Sequence, residues 1–330
     1  MWMPALSILL TLSGAVQPAS TDPVGLPKLP FATDKRADTG LVGYLGCSSW
    51  ALIPMSISTK ATGTIRPHSE PSIEANPLSG RREAPVVSVI RPSYREVAKK
   101  RARDAQRTGS RGIFVWESTD LVNWGNERLV VVEDSTAGMV WAPEAIWDAS
   151  EEQYLVHWAS KFYSTSDTRH TGTPSAIRIR YAHTRDFRTF TAPQTYIDRS
   201  PTSIIDLDIL PLYPDADNQQ YVRFMKDESR KTVFMEYSTT GLFGNWTRAG
   251  GSSGTIASQV EGPAAYRNNL GRARCTYCWT STASSGDLRD NRWTASSRSG
   301  FPSNLRHGSV LPINRTLFSA LSEKWSLYYM

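Results

Sequence analysis

The chain has 330 residues, of which 21% are charged and 10% are aromatic, and its formal net charge is +6. This length allows a large buried core, and the many aromatic residues argue against a disordered protein. The positive charge is local, because ten basic residues and only four glutamates lie between Lys60 and Arg103, which accounts for the whole excess. No nucleic-acid-binding motif accompanies this stretch, so we exclude a nucleic acid as a partner.

The first residues, 1–20, predict a secretory signal peptide. Ala5–Val16 is short and mostly apolar, and small residues follow at Ala19 and Ser20. The start lacks the usual Lys or Arg, which leaves a buried first strand or helix as the alternative. No later stretch approaches the ~18 apolar residues of a membrane span. We therefore expect a secreted, extracellular monomer that does not enter a membrane.

Residues 21–325 are predicted to form one domain with an atypical region. Residues 47–105 are rich in Ser, Pro and Arg, and Trp50 and Tyr94 are their only aromatic residues. Such a composition does not readily form buried strands and is typical of disordered segments. A second patch of the same kind spans Arg267–Arg292.

An aromatic-rich segment recurs in the rest of the chain. Each copy is predicted to be a strand that enters a turn and ends on an aromatic residue, namely Trp124, Phe190, Trp246 and Trp293. The spacing of 47 to 66 residues between these aromatics is typical of propeller blades built from short strands. We therefore predict an all-β propeller, with a plain β-sandwich as the alternative.

A polar residue in an apolar or Pro-rich context follows each copy at a similar offset. These residues are Glu144, Asp206, Glu261 and His307. Because similar positions in successive blades face the central axis, we expect these side chains to converge on one funnel. Each has a structural alternative, such as a core histidine at His307 or a backbone-binding glutamate at Glu144. Asp208 follows Asp206 closely, and an ordinary contact between blades is the alternative role for one of these two.

Carboxylates gathered around a sugar-sized cleft suit glycoside hydrolysis, in which one protonates the leaving oxygen and another activates water or attacks carbon. An acid that works near neutral pH needs a raised pKa, which burial or a neighbouring carboxylate supplies. Asp206 lies within Ile-Ile-Asp-Leu, and Glu261 lies between Val260 and Gly262. Both carboxyl groups are therefore expected to be desolvated.

In this order and spacing, the motifs resemble glycoside hydrolase family 43. The matching segments are Ser118–Trp124, Trp141-Ala-Pro-Glu144, Ile205-Asp206, Glu261-Gly-Pro263 and Arg306-His307-Gly308. The resemblance implies a five-bladed β-propeller and an inverting enzyme that acts on arabinose- and xylose-containing plant cell-wall polysaccharides. It also implies Glu261 as the general acid and Asp206 as the carboxylate that tunes this acid and orients the sugar.

The resemblance further implies residues that contact the substrate or a metal ion. Glu144 and Arg306 are expected to contact the sugar, and Trp141 and Trp158 to stack on sugar rings, with a core role as the alternative for both tryptophans. His307 corresponds to a position near the propeller axis where some members hold a metal ion. We therefore expect a calcium ion at the axis and no organic cofactor.

The chain departs from the family in the first blade, which should carry the general base. The base is usually an Asp in an Asp-Pro turn, yet no Asp occurs between Asp38 and Asp104, and the corresponding stretch reads Val89-Ile-Arg-Pro-Ser. Asp38, Asp104 and Glu96 are poor substitutes, because none lies in a suitable strand context. We expect the first blade and part of the fourth to be irregular or degraded, as a frameshifted gene model or a decaying gene would make them.

Two alternatives to an active glycosidase follow from this departure. A catalytically inactive carbohydrate-binding propeller fits the missing base. A fructan-active propeller is disfavoured, since its Asn-Asp-Pro nucleophile turn does not occur in the sequence.

Overall fold

The computed structural model describes residues 9–13, 41–47, 52–55, 86–92, 105–118, 120–212, 219–267, 273–277, 281–285, 288–295 and 309–325. The strands are, in chain order, β1 (Leu9–Ser13), β2 (Leu41–Cys47), β3 (Leu52–Met55), β4 (Val86–Pro92), β5 (Gly112–Ser118), β6 (Gly125–Val131), β7 (Trp141–Asp148), β8 (Gln153–Ser160), β9 (Arg178–Thr184), β10 (Gln194–Ile197), β11 (Ile204–Pro211), β12 (Tyr221–Asp227), β13 (Thr232–Ser238), β14 (Trp246–Arg248), β15 (Ala257–Ser258), β16 (Pro263–Arg267), β17 (Ala273–Tyr277), β18 (Ser281–Ser285), β19 (Thr294–Ala295) and β20 (Ser309–Asn314). A short 3-10 helix spans Leu288–Asp290, and helix α1 spans Arg315–Trp325.

The strands form five antiparallel sheets, which confirms the predicted all-β propeller. Their strand orders are β1-β4-β5-β6, β7-β8-β9-β10, β11-β12-β13-β14 with β15 beside β13, β16-β17-β18-β19, and β20-β2-β3. The first strand of each order contacts the first strand of the next: β1 contacts β7, β7 contacts β11, β11 contacts β16, β16 contacts β20, and β20 contacts β1. These contacts close a ring of five inner strands, which is the architecture of a five-bladed propeller.

The recurring sequence segment forms the turn between the third and fourth strands of a blade. A buried hydroxyl opens this turn at Ser118, Thr184 and Ser238. In the first two cases an aspartate follows, and the Oδ1 atoms of Asp120 and Asp186 accept hydrogen bonds from the amides two and three residues further on. Since these bonds satisfy turn amides that have no partner in the sheet, the Ser/Thr-x-Asp pattern marks this turn in the sequence.

The hydrophobic core lies between neighbouring blades. On one face of β8, Val156 packs with Ile113 of the first sheet. On the other face, Leu155 packs in the same cluster as Ile204 and Met225 of the third sheet. The alternation of side chains along β8 therefore joins its blade to both neighbours.

Trp158 lies in this core, so the prediction that it stacks on a sugar ring was wrong. The residue is 0% exposed and belongs to the cluster between the first and second blades. Its Nε1 donates to Glu133 Oε1 at 3.0 Å, and Arg180 Nε donates to the same oxygen at 2.8 Å. A ring with no exposed face has none to offer a sugar, and its polar atom is already satisfied within the protein.

The two patches of unusual composition contain regular strands. Strands β3 and β4 lie in 47–105, and β17 and β18 lie in 267–292. The fourth sheet pairs β16, β17, β18 and β19 in order, where irregular structure was expected. Backbone amides and carbonyls form such a ladder without aromatic side chains, so small residues such as those of Ser281–Ser285 are compatible with it. The rest of both patches lies outside the described residues.

Strands from early and late in the chain meet in the fifth sheet and beside it. Strand β20 pairs with β2, which in turn pairs with β3. Strand β1 lies within the predicted signal peptide, pairs with β4 and takes a place in the inner ring. The first blade is thus assembled from distant segments, and the signal peptide at residues 1–20 stays a prediction. Among the described residues, no helix is both long and apolar enough to cross a membrane.

Candidate active site

The inner strands of three blades have, within their first three residues or just before them, a residue in the left-handed backbone region. These residues are Ala142 (φ 46°), Asp206 (φ 56°) and Gly262 (φ 61°). At the first two, the pairing with the next strand also shifts register, so β7 and β11 each carry a β-bulge there. Left-handed backbone is unfavourable for residues with a Cβ atom, and such strain is concentrated at functional sites.

The bulge in β11 gives two nearby aspartates different partners. In a regular strand Asp206 and Asp208 would point to the same face. Here Asp206 Oδ2 accepts a hydrogen bond from the amide of Gly262 at 2.9 Å, whereas Asp208 Oδ2 accepts one from the amide of Ala265. Both bonds run from the third blade to the segment at β16, so each aspartate makes a contact between blades, which was the alternative role for one of the two.

The carboxylates occupy unequal positions relative to the left-handed residue of each blade. Glu261 comes one residue before it, Asp206 coincides with it, and Glu144 and Asp208 follow it by two residues. The prediction that these residues occupy equivalent positions in successive blades is therefore only approximately correct. The four carboxyl groups nevertheless interact at the hub. The charge of Glu261 acts on Asp206, and the charges of Asp208 and Asp206 act on Glu144.

Asp206 is buried, and the charge of Glu261 acts on it. Its burial, followed by the negative charge of Glu261, raises the pKa of Asp206 to about 7, although Lys226 and the amide of Gly262 act in the opposite direction. A carboxyl group with this pKa exchanges protons near neutral pH, as expected of a group in acid catalysis. We call Asp206 and Glu261 the acid pair.

Glu261 forms an ion pair with a buried lysine. Lys226 Nζ lies 2.6 Å from Glu261 Oε2 and 2.9 Å from an oxygen of Glu228. The Lys226 side chain is only 2% exposed, whereas that of Glu261 is 24% exposed. Burial lowers the pKa of Lys226, but the hydrogen bonds to Glu261 and Glu228 outweigh it and leave the pKa above its ordinary value. Lys226 is therefore a fixed positive charge beside the acid pair.

Glu144 and Asp208 form a second pair of carboxyl groups, which we call the bracing pair. Burial, and then the charge of Asp208, raises the pKa of Glu144 well above its ordinary range. Burial also raises the pKa of Asp208 to about 6, although the amides of Ala265 and Ile209 and the bond with Glu144 lower it. These directions make Glu144 the hydrogen-bond donor of the pair and Asp208 the acceptor.

The contacts of the bracing pair join four blades. Glu144 belongs to β7, Asp208 to β11 and Ala265 to β16, and the hydroxyl of Ser309 on β20 donates to Glu144 Oε1 at 3.4 Å. Because Glu144 is buried and holds these partners, its geometry fits a structural role. It does not support the predicted contact with a sugar.

A buried histidine faces the bracing pair. His157 lies opposite Glu144 in the pairing of β7 and β8. Burial lowers the pKa of His157 to about 3, so the ring is neutral, and its Nδ1 has no hydrogen-bond partner among the described residues. Among all residues that the structure describes, no group of three His, Cys, Asp or Glu residues is placed to hold a metal ion. His307 lies outside the described residues, so the calcium ion at the axis stays a prediction.

Of the two tryptophans predicted to stack on sugar rings, Trp141 is partly exposed, whereas Trp158 is buried. Trp141 is the first residue of β7, is partly exposed, and packs its remaining surface against the core between the second and third blades. Its stacking role stays a prediction, as does that of Arg306, which lies outside the described residues. The weak candidates for the general base, Asp38, Glu96 and Asp104, also lie outside them.

Lys226 and Glu228 are residues of the site that no sequence motif identified. The signal was present, because a lysine inside the buried strand Tyr221–Asp227 requires a carboxylate partner. Choosing Glu261 as that partner required knowing that the fourth blade approaches β12.

The fold and the hub define the class of this protein as a five-bladed propeller with paired carboxyl groups on its inner strands. A family model described as a probable glycosyl hydrolase domain, related to glycoside hydrolase family 43, matches residues 95–317. This match covers more than half of the chain. The protein therefore belongs to this family, which confirms the resemblance seen in the motifs.

The individual relatives are partial or distant. An α-L-arabinofuranosidase of Bifidobacterium longum subsp. longum is 38% identical over 149 residues, which is 41% of this chain but only 13% of that protein. A thermostable family-43 glycoside hydrolase has 16% identity and a TM-score of 0.42, covering 66% of this chain and 70% of that one. An α-L-arabinanase of Penicillium chrysogenum complexed with arabinobiose has 14% identity and a TM-score of 0.42, covering 68% and 61%.

Proposed function

We propose that the protein is a secreted glycoside hydrolase that cleaves arabinose- or xylose-containing plant polysaccharides or oligosaccharides with inversion. The observation that carries this proposal is the acid pair, in which a buried aspartate with a pKa of about 7 adjoins a partly exposed glutamate at the propeller hub. The family supports the reaction class. The name of the curated relative, an arabinofuranosidase, supports the sugar.

In this proposal each residue of the acid pair has a separate role. Glu261 donates a proton to the oxygen that leaves the sugar, since its side chain is the more exposed of the pair. Asp206 is buried and hydrogen-bonded to the Gly262 amide, so it adjusts the charge felt by Glu261 and orients the sugar. Trp141, which is partly exposed, supplies a face on which a sugar ring stacks. A single displacement by water then inverts the anomeric carbon.

The direct test is hydrolysis of aryl arabinofuranosides, aryl xylosides and arabino-oligosaccharides by the purified protein. We expect release of the inverted sugar anomer, which proton NMR of the fresh product distinguishes from the retained one. Activity that survives Glu261→Gln on every substrate would refute the assignment of the acid. The retained anomer would refute the single-displacement mechanism.

A second function, sugar binding without hydrolysis, is favoured by a specific observation. The inner strand of the first blade is β1, which lies within the predicted signal peptide, and its sequence Leu-Leu-Thr-Leu-Ser offers no carboxylate to activate water whether or not that peptide is removed. General-base catalysis is worth about 10²–10⁴-fold in rate, so its loss leaves a very slow enzyme. Calorimetric binding of arabino-oligosaccharides without detectable turnover would support this function. Recovery of turnover after repair of the first blade would identify the missing group.

A further inference from the structure

An exposed phenylalanine lies in the turn between β13 and β14. The Gly244 amide donates to the carbonyl oxygen of Gly241 at 3.2 Å, so Leu242 and Phe243 occupy the two central positions of this turn. A Cβ atom at Gly244 would lie only 2.4 Å from the carbonyl oxygen of Thr240, so the turn requires glycine there. Leu242 is buried, whereas Phe243 is 50% exposed. The turn therefore presents the Phe243 ring to solvent.

Three aromatic rings of the second blade hold Phe243 in place from one side. The centroid of its ring lies 5.1 Å from that of Tyr181, 5.4 Å from that of Tyr196 and 6.0 Å from that of His183. These distances are in the range of favourable aromatic contacts. Because the ring is already ordered, a group that covers its exposed side loses little further conformational entropy. A single exposed apolar side chain is nevertheless common, so the ring alone does not identify a ligand.

The second observation is a glycosylation sequon that begins two residues after Phe243. Asn245-Trp246-Thr247 has the Asn-x-Thr pattern that accepts N-linked glycans in secreted proteins. Asn245 and Thr247 are both exposed, whereas Trp246 between them is partly buried. The backbone amide of Asn245 donates to Thr240 Oγ1 at 2.9 Å, which fixes the acceptor residue beside the turn.

The spacing brings a sugar on Asn245 within reach of Phe243. Two residues of extended chain span at most about 7 Å, so the Cα atoms of these residues are no farther apart than that. The first sugar of an N-glycan is N-acetylglucosamine, which carries C–H bonds on the faces of its ring and an apolar acetyl methyl group. Such a sugar, bonded directly to the Asn245 side chain, can cover an aromatic ring two residues away.

We propose that Asn245 carries an N-linked glycan whose first N-acetylglucosamine packs on the exposed side of Phe243. This inference rests on the secretion in the proposed function and is independent of hydrolysis. The glycan comes from a polyprenyl-pyrophosphate-linked oligosaccharide, which the secretory pathway supplies together with the transferase. Asn245 Nδ2 loses a proton and forms a bond to the anomeric carbon of the sugar. The bond from that carbon to the pyrophosphate oxygen breaks, and polyprenyl pyrophosphate leaves.

The glycan lies at the end of the blade remote from the acid pair. Ser238, which precedes the turn, pairs with Tyr221, and Tyr221 pairs with Pro211 at the end of β11. Asp206 is the third residue of the same strand and therefore lies near its other end. The glycan thus leaves access to the hub unchanged.

The first test measures the occupancy of Asn245. The full chain is produced in a secreting yeast behind a leader peptide of that host, so the result does not depend on the predicted signal peptide. Release of the glycan by PNGase F in heavy-oxygen water converts an occupied Asn245 to labelled Asp, which peptide mass spectrometry detects separately from the second sequon, Asn314-Arg315-Thr316. We expect most molecules to be occupied at Asn245. Thr247→Ala should abolish this occupancy, and Thr247→Ser, which keeps the sequon, should retain it.

The second test measures the contact with Phe243. Endoglycosidase H shortens the glycan to its first N-acetylglucosamine, whose protons should show upfield ring-current shifts in NMR spectra. Phe243→Ala and Phe243→Leu should abolish these shifts, and Phe243→Tyr should keep them. The trimmed protein should also have a Tm about 1–5 °C above that of Asn245→Gln. This difference should vanish in the Phe243→Leu background, as a double-mutant cycle shows.

An unmodified Asn245 would overturn the proposal. So would an attached sugar whose proton shifts are the same in Phe243→Ala, Phe243→Leu and the unaltered protein. If the chain is retained in the cells, peptide mapping of the membrane-enclosed fraction still decides the occupancy. The same chain without the added leader tests secretion separately. Absence of hydrolysis would count against the proposed function alone, because glycan attachment needs no catalysis by this protein. In an active preparation, Asn245→Gln should leave kcat unchanged.

Discussion

The two pairs of carboxyl groups at the hub have the same residue types and opposite surroundings. The acid pair adjoins the ammonium of Lys226, and its glutamate is partly exposed. The bracing pair adjoins a backbone amide and a hydroxyl, and its glutamate is buried. A carboxyl group exchanges its proton with a ligand only where the ligand reaches it. A neighbouring cation and a partly exposed side chain, rather than the residue type, therefore distinguish the acid pair from the bracing pair.

The largest effect should separate the two glutamates. Glu261→Gln should lower kcat about 10²–10⁴-fold on arabino-oligosaccharides, because it removes the proton donor. The loss should be smaller on a 4-nitrophenyl glycoside, whose leaving group departs without a proton. Glu144→Gln is the matched control and should retain kcat within about threefold. If steady-state assays show the same decrease in kcat for Glu261→Gln and Glu144→Gln, the separate roles of the two pairs are contradicted.

The next effect should separate the two aspartates by stability. Asp208→Ala should lower the free energy of unfolding by about 2–4 kcal/mol, because it leaves the Ala265 amide and the Glu144 carboxyl group without their partner. Asp206→Ala should cost less, about 1–2 kcal/mol, because it leaves the Gly262 amide without its partner but relieves the repulsion between Asp206 and Glu261. Urea denaturation at pH 7 measures both. A greater loss for Asp206→Ala would reverse the assignment of the bracing role.

Stability should also depend on pH in a direction set by these groups. The pKa values of Asp206 and Asp208 are raised in the folded protein to about 7 and about 6, so folding is favoured while they are protonated. Their contribution is fully present below about pH 4 and is lost as the pH rises through these values. The free energy of unfolding should therefore fall between about pH 4 and pH 7. Asp208→Asn should flatten this fall, and urea titrations across the range check it.

The smallest effect concerns Trp141, the partly exposed first residue of β7. Trp141→Ala should weaken the binding of an arabino-oligosaccharide by up to about tenfold, roughly 1.4 kcal/mol, because it removes a stacking face. Isothermal titration calorimetry measures the change, and Trp141→Phe should retain most of the affinity. An unchanged dissociation constant for Trp141→Ala would restrict this residue to its packing against the core.

Much of the fold followed from local sequence patterns. The Ser/Thr-x-Asp turns are marked by side chains that bind nearby backbone amides, so Ser118 and Thr184 locate a blade without any tertiary information. The fifth blade has no such mark, because β2, β3 and β20 pair across the length of the chain. Long-range pairing of that kind has no periodic signal to detect.

The candidate site was predictable in its residues and less so in its geometry. Asp206 and Glu261 were selected because each lies in an apolar context, and the structure places Asp206 within an inner strand and Glu261 two residues before one. The bulges at Ala142 and Asp206 were not, since neither residue type requires a left-handed backbone. Trp158 was misassigned because a tryptophan in a core and one on a sugar site look alike in a sequence. Lys226 was missed because its partner belongs to another blade.

The pairing of β20 with β2 has a consequence for biosynthesis. The ribosome synthesises β2 long before β20. The edge of β2 that pairs with β20 therefore has no partner until the end of the chain has been made. Ser309, the hydroxyl donor to Glu144, is delivered with β20. The hydrogen bond between Ser309 and Glu144 can therefore form only after the last blade strand has been synthesised.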